Sequence, residues 1–191
     1  MLFNALHKAL ARFGAKFGAG FLRQMPTDIW SKCYTSWLRL AGAKIGDGSV
    51  VHYRVKVWLP ENIEIGRGVR IPASTDMAGM SKIKIGNYAL LGANVSFITN
   101  NHPLEDEAMS WQEVLIGTQQ PIQVGMFCWL MNDTRIVAGR SGITIGDYSW
   151  LSAGSTIVKN IPEAELWGGS PAAFIRQIHR RVSELDRTGS G

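Results

Sequence analysis

Apolar and polar positions alternate along this chain on a rhythm that belongs neither to a helix nor to an ordinary strand. An Ile-Gly or Val-Gly pair recurs at Ile45-Gly46, Ile65-Gly66, Ile85-Gly86, Val124-Gly125 and Ile145-Gly146, at spacings of 20, 20, 39 and 21 residues. The long interval is one period plus 19 extra residues, so one turn of a repeat carries an insertion. Inside each period, aliphatic or aromatic residues return every six: Ile45, Val51, Val57; Ile65, Ile71; Ile85, Leu91, Phe97; Val124, Leu130, Ile136; Ile145, Leu151, Ile157. Four residues after these positions stands a small or β-branched residue, as at Ser49, Val69, Ala89, Cys128 and Ser155. Helices repeat at 3.6 and strands at 2, so a period of six needs another geometry. A triangular coil of three short strands supplies it. Each face sends one apolar side chain to the axis, and Gly, Asn or Asp turns the corners. One coil cannot bury a core, so about five stacked in register form the stable unit. The predicted class is mainly β, a parallel β-helix over 42–170 with a long loop at 100–120 in its third coil.

Both ends read differently. Thr27 or Asp28, after Pro26, predicts the start of a helix to about Leu40, stopped by Gly42, with Trp30, Tyr34, Trp37, Leu38 and Ala41 toward the first coil. Before Pro26, Leu2, Phe3, Leu6, Leu10, Phe13, Phe17 and Phe21 fall near one side of a helix, opposite Lys8, Arg12 and Lys16. That is the pattern of an interfacial membrane helix, although packing on the protein or targeting would use the same residues. Gly14, Gly18 and Gly20 weaken it in water. After Ser170-Pro171, the spacing of Phe174, Ile178, Val182 and Leu185 predicts a capping helix over 171–191. The organisation is thus 1–41, 42–170 and 171–191.

Charge sharpens this picture. Lys plus Arg is 20 against 15 acids, a net +5, but residues 1–25 alone hold four bases and no acid. The middle, 26–170, is close to neutral, which excludes a nucleic-acid-binding core. The uncharged runs 85–104 and 114–132 are too rich in Asn, Gln, Pro and Gly to span a bilayer. No cleavable signal stands out, and two isolated cysteines, Cys33 and Cys128, fit a reducing compartment. A cytoplasmic protein, peripheral on the inner face of the membrane through its basic end, is the expectation.

The hexads resemble the left-handed parallel β-helix of the hexapeptide-repeat acyltransferases, nearest the O-acetyltransferases of sugars and bacterial surface polysaccharides. Gly42-Ala43-Lys44-Ile45-Gly46 is similar to the start of the polysaccharide branch. Pro121-Ile122-Gln123-Val124-Gly125 through Trp129 is similar to the return after the family's loop. Gly154-Ser155-Thr156-Ile157-Val158-Lys159 and Gly168-Gly169-Ser170-Pro171-Ala172 resemble its closing signature. The resemblance implies acetyl-CoA as cosubstrate, no catalytic metal, and a homotrimer with the site between subunits.

A loop of this length in a compact repeat is a functional candidate, and imidazole is suited to moving a proton near neutral pH. His102 is the one histidine on it. By the resemblance, His102 is the general base that deprotonates an acceptor hydroxyl. Glu105, Asp106, Glu107 and Glu113 are candidate orienting partners, Glu105 foremost, and Asn100 and Asn101 are candidate acceptor contacts. The resemblance further implies that Trp129, Asn132, Ala153 and Gly154 line the pantetheine path. Lys159, Gly169, Pro171 and Arg176 would meet the nucleotide end, where positive charge suits phosphates.

Two departures stand out. Leu130-Met131-Asn132 replaces the usual aliphatic-Gly-small run, which puts a large side chain near the thioester path. The stretch Pro72-Ala73-Ser74-Thr75-Asp76 lacks the substrate-binding Asn of the galactoside and maltose enzymes. Asp76 or Ser74 would substitute, which argues against a simple galactoside and leaves a small-molecule or lipid-linked sugar open. The alternatives are a nucleotide-sugar N-acetyltransferase and a catalytically degenerate scaffold. A γ-type carbonic anhydrase needs three histidines around its metal, and only His52 and His102 fall in the repeat.

Overall fold

The computed structural model describes residues 21–77, 79–102, 117–139 and 141–178, without the side chains of residues 21–26 and 118. It is a left-handed parallel β-helix of five coils: 44–57, 63–77, 83–98, 122–137 and 143–157. The first face stacks Lys44–Ile45, Ile63–Ile65, Ile83–Ile85, Ile122–Val124 and Ile143–Ile145. The second stacks Val50–Val51, Arg70–Ile71, Leu90–Leu91, Trp129–Leu130 and Trp150–Leu151, and the third Lys56–Val57, Asp76–Met77, Ser96–Ile98, Arg135–Val137 and Thr156–Ile157. All these neighbours pair in parallel, one coil directly above the next.

The hexad positions carry the core. Val51, Ile71, Ile85, Phe97, Leu130, Ile136, Ile145, Leu151 and Ile157 are all buried, and so are the small residues at the corners. Buried corner hydroxyls bond to backbone: Ser49 Oγ donates to the Gly66 carbonyl at 2.6 Å and accepts from the Val69 N–H at 2.9 Å. Other corners are stapled by Asn or Asp. Asn87, Asn132 and Asp147 accept, through Oδ1, the N–H of Arg67, Ala93 and Met126 in the coil before, at 2.8–2.9 Å. The glycine beneath each staple leaves room for it. A Cβ on Gly66, Gly92 or Gly125 would meet that same oxygen at 2.3–2.4 Å, well inside contact distance.

The helix Phe21–Leu40 closes the first coil. It runs back through Pro26, beyond the start predicted at Thr27 or Asp28. Its buried face is Ser31, Thr35 and Leu38, with Tyr34 packed against the core, while Trp37 is 54% exposed. The expected aromatic face is thus only half right, because the open edge of a sheet needs hydrogen-bonding partners as well as apolar cover. Thr35 Oγ1 accepts from the Val51 N–H at 2.9 Å, the Tyr34 hydroxyl donates to the Val55 carbonyl at 3.1 Å, and Arg39 Nε to the Ile45 carbonyl at 3.0 Å. No described helix is long and apolar enough to cross a membrane. The basic segment 1–20 lies outside the described residues.

At the other end, the capping helix predicted from Pro171 is not formed over the described residues. Glu165–Gly169 adds to the second face in parallel with Trp150–Leu151, and Ala172–Gln177 folds back on it antiparallel. Edge strands must be paired or covered, and a hairpin does this with backbone bonds that a helix cannot offer. Phe174 packs edge-on to Trp167 at 6.3 Å, so its apolar spacing serves a strand pair rather than a helical stripe. A boundary at 170/171 would cut the hairpin turn. Val182 and Leu185 lie outside the described residues.

Candidate functional site

Three corners separate the three faces, and the sequence candidates fall on two of them. Between the third and first faces the loop leaves coil 3. Asn100–Asn101 pairs antiparallel with Thr118–Gln119, so both ends of the insertion are clamped in a two-stranded ribbon. Asn101 Oδ1 accepts from the His102 N–H at 2.9 Å, which ties the histidine backbone to the ribbon's end. Asn100 and Asn101 are exposed there, and so is His102. Gly117 faces His102 across the ribbon with φ +67°, and a Cβ on it would meet the Asn101 carbonyl oxygen at 2.5 Å and His102 Nδ1 at 3.3 Å. Glycine is required here by both conformation and space. Glu105, Asp106, Glu107 and Glu113 lie outside the described residues.

The corner between the second and third faces gathers a second set. Ser74 in coil 2, Asn94 in coil 3, Asp133 in coil 4 and Gly154 in coil 5 form a file along the solenoid. Ser74 Oγ accepts from the Asn94 N–H at 2.7 Å, and Asn94 Nδ2 donates to Asp133 Oδ1 at 2.6 Å. Asn132 and Ala153 stand one position earlier, and the Gly154 N–H donates to the Asn132 carbonyl at 2.9 Å. Ser74 and Asn132 are therefore corner staples as well as candidate contacts. At Gly154, φ is +72° and an added Cβ would meet nothing within 4 Å, so the top of the file is bare and open. Leu130 is the buried aliphatic residue of its run, and Met131, the large side chain that departs from the expected pattern, stands at this corner. Asp76 sits on the third face between Lys56 and Ser96.

Trp129 is 40% exposed on the second face and meets Trp150 edge-on at 5.5 Å. Lys159 stands on the third-to-first corner with its Nζ 4.9 Å from the centre of the Trp167 ring, a cation–π contact that holds the charge near the hairpin. Gly169, with φ +99°, and Pro171 make the hairpin turn, and Ser170 Oγ bonds Thr156 Oγ1 at 2.9 Å. Arg176 lies on the return strand, exposed, with Nη1 donating to the Gln177 carbonyl at 3.3 Å. The structure thus brings Ser74, Asn132, Ala153 and Gly154 onto one line. It holds His102 on a different corner, and Lys159 and Arg176 at the hairpin end.

One feature escaped the sequence pattern. Beside the N-terminal helix, a groove of about 230 Å³ opens from coil 1 toward coil 3, lined by Asp28, Ser31, His52 and Arg70 over an apolar floor. Burial and the neighbouring Arg54 hold the His52 pKa below its usual value, partly opposed by Asp28. The signal was a charged residue, Arg70, in an outward file that otherwise reads Val50, Leu90, Trp129 and Trp150. Among the described residues no cluster of His, Cys, Asp and Glu is arranged to hold a metal.

Stacked hexads interrupted once by a histidine-bearing loop define an acyltransferase of the β-helix class. No family model matches the chain. The colanic acid biosynthesis acetyltransferase WcaF of Escherichia coli K12, so named, is 31% identical over 140 residues, spanning 73% of this chain and 72% of its own. The galactoside O-acetyltransferase of the same organism is 30% identical over 139 residues, 73% of this chain and 66% of its own. The maltose O-acetyltransferase of Clostridium difficile 630 superposes with a TM-score of 0.65 at 26% identity, covering 76% of this chain and 75% of that one. A hexapeptide-repeat acetyltransferase of Vibrio cholerae, solved with acetyl coenzyme A, shares the fold at a TM-score of 0.68 and 22% identity, over 93% and 89% of the two chains. The chain belongs to the hexapeptide-repeat acetyltransferases.

Proposed function

We propose that the protein transfers an acetyl group from acetyl-CoA to a hydroxyl of a sugar unit in a bacterial surface polysaccharide or its precursor. The observation that carries this reading is His102 on a clamped ribbon beside a glycine, in a chain whose relatives include a colanic acid biosynthesis acetyltransferase and a galactoside O-acetyltransferase. His102 takes the hydroxyl proton as the oxygen attacks the thioester carbonyl carbon. The C–S bond then breaks, and the imidazolium returns the proton to the departing coenzyme thiolate. Backbone N–H groups of the coil after the loop steady the oxyanion. Glu105 orients the imidazole, and Asn100, Asn101, Asp76 and Ser74 hold the acceptor.

The donor runs along the second-to-third corner past Trp129, Asn132, Ala153 and Gly154. The open space at Gly154 supports that path, since a thin pantetheine arm needs an approach free of side chains. Lys159 and Arg176, with Gly169 and Pro171, receive the nucleotide phosphates at the hairpin. The functional unit is a homotrimer, as the family resemblance implies, and the separation of His102 from the corner file within one chain supports a site that a neighbour's loop completes. Residues 1–25 hold it to the inner face of an anionic membrane, within reach of a lipid-linked acceptor.

The test is His102→Ala. Acetyl transfer to polysaccharide repeat units is expected to fall by roughly 10²-fold or more, with coenzyme binding by tryptophan fluorescence unchanged. A wild-type protein that binds no coenzyme would instead mark a scaffold.

A further inference from the structure

The groove under the N-terminal helix brings opposite charges to the rim of one cavity. Asp28 and Arg70 line the same cavity with opposite charges, yet neither side chain makes a hydrogen bond or ion pair with another described residue. Both side chains are exposed, one carried on the helix and one on a coil, so each is open to a ligand entering the groove. His52 stands with them. Its Nδ1 accepts from the Arg54 N–H at 3.2 Å, so in the neutral ring the proton is on Nε2. The cavity therefore offers a guanidinium fork, an imidazole N–H and a carboxylate. Beneath them Ile71, Pro72 and Leu91 supply apolar surface.

Location matters as much as chemistry. His52 and Pro72 occupy the same second-to-third corner as Ser74, Asn132 and Gly154, so the groove is the coil-1 end of the line whose coil-5 end is bare. A donor laid along that line from the hairpin would bring its acyl end toward this cavity. At about 230 Å³ it lies below the roughly 300 Å³ at which drug-sized pockets begin, and holds one sugar ring rather than a chain.

From this we infer that the groove is the acceptor subsite, and that it takes a single pyranose unit carrying an anionic group, a carboxylate or a phosphate. Arg70 binds the anion as a fork, Asp28 accepts from ring hydroxyls, and the floor covers the apolar face of the ring. This assignment rests on the acetyl-transfer reading above and names its substrate class. It also gives a reason why the stretch Pro72–Asp76 can lack the Asn that the resemblance leads one to expect: recognition has shifted onto a charge.

The experiment pairs transfer with direct binding. Methyl glucuronide, glucose 1-phosphate and uncharged methyl glucoside are offered to the full chain with labelled acetyl-CoA, and each is also titrated calorimetrically without donor. One or both anionic probes are expected to be preferred, and which of the two distinguishes carboxylate from phosphate. Arg70→Gln is expected to raise KM and Kd for the preferred probe roughly 10- to 100-fold. Methyl glucoside should lose much less than the anionic probe, and coenzyme binding should be unchanged. Asp28→Asn should weaken all three probes, which keeps the proposal testable if one variant folds poorly. Preference for methyl glucoside, or an Arg70→Gln protein that binds the anionic probes like wild type, overturns the proposal. If no probe is acetylated but the anionic ones bind in an Arg70-dependent way, the groove stands and the transfer reading fails. If none binds, the groove assignment fails.

Discussion

Cys128 illustrates how far the interior of a thin solenoid can be from water. Burial pushes its thiol up to about 11 from an ordinary 9.0, although Sγ still donates to the Gly146 carbonyl at 3.1 Å. The folded state keeps this proton between those two pH values while the unfolded chain releases it. Stability therefore declines as pH rises through 9 toward 11, by on the order of 2–3 kcal/mol from this group alone. Urea titrations of wild type and Cys128→Ala at pH 9 and 11 check this, and the variant should show the shallower decline. Parallel declines would assign the effect elsewhere. Individual side chains were the least legible scale. Ser74 and Asn132 read as candidate ligand contacts, and in space both also accept a backbone N–H from an adjacent coil, a bond that the order of residues does not announce. Gly117 was not singled out at all, since nothing in the order of residues says that the chain returns there to lie against His102.

At the scale of the coil, pattern and structure agree closely, and the reason is steric. A six-residue period puts every sixth side chain on the axis, where only an aliphatic or small group fits, so the core was written in plain order. What the period cannot express is how coils are fastened. That depends on an acceptor in one coil and an absence of Cβ in the next. Gly125→Ala tests this link, because the added carbon would meet Asp147 Oδ1 at 2.3 Å and the Asp147 nitrogen at 2.7 Å. Coil 4 would have to lift from coil 5 and release the Asp147 bond to Met126. A loss of roughly 2–4 kcal/mol is expected, seen as a lower Tm. An unchanged Tm would mean that the staples are not under geometric control. The ends were harder to read because an edge strand is satisfied by backbone geometry. Ser31 and Thr35 sealed coil 1 where aromatics were expected, and a hairpin replaced the helix foreseen after Pro171.

Across the whole molecule the three faces differ sharply. Outward residues on the first face are Lys44, Glu64, Lys84, Gln123 and Thr144, with Lys82 at 3.1 Å from Glu64, and the third face is polar as well. The second presents Leu90, Trp129 and Trp150 in one file, with Leu90 60% exposed. At the adjoining corner Tyr88, Phe127 and Tyr148 stack at 5.2 Å, each with positive φ, a conformation costly for such residues. An apolar file beside an aromatic stack suits burial against another copy of the chain. On the proposed homotrimer, Leu90→Glu is therefore expected to shift sedimentation from the assembled species toward a single chain, at unchanged far-ultraviolet dichroism. A variant that still sediments as wild type would move the interface to another face.

The reversal of direction at Ser170-Pro171 has one more consequence. Parallel coils are a template that any further coil of the same register could extend, so a bare solenoid is one growth step away from a fibre. Ala172–Gln177 runs antiparallel to the strand it covers, and the helix at the opposite end answers the first coil with side chains instead of strand. Over the second face, a second molecule arriving end-on meets a strand of reversed polarity, and at the first coil it meets a helix. The same hairpin that borders the proposed phosphate site thus ends the parallel ladder of the second face and gives it no edge of matching polarity to pass on to another molecule.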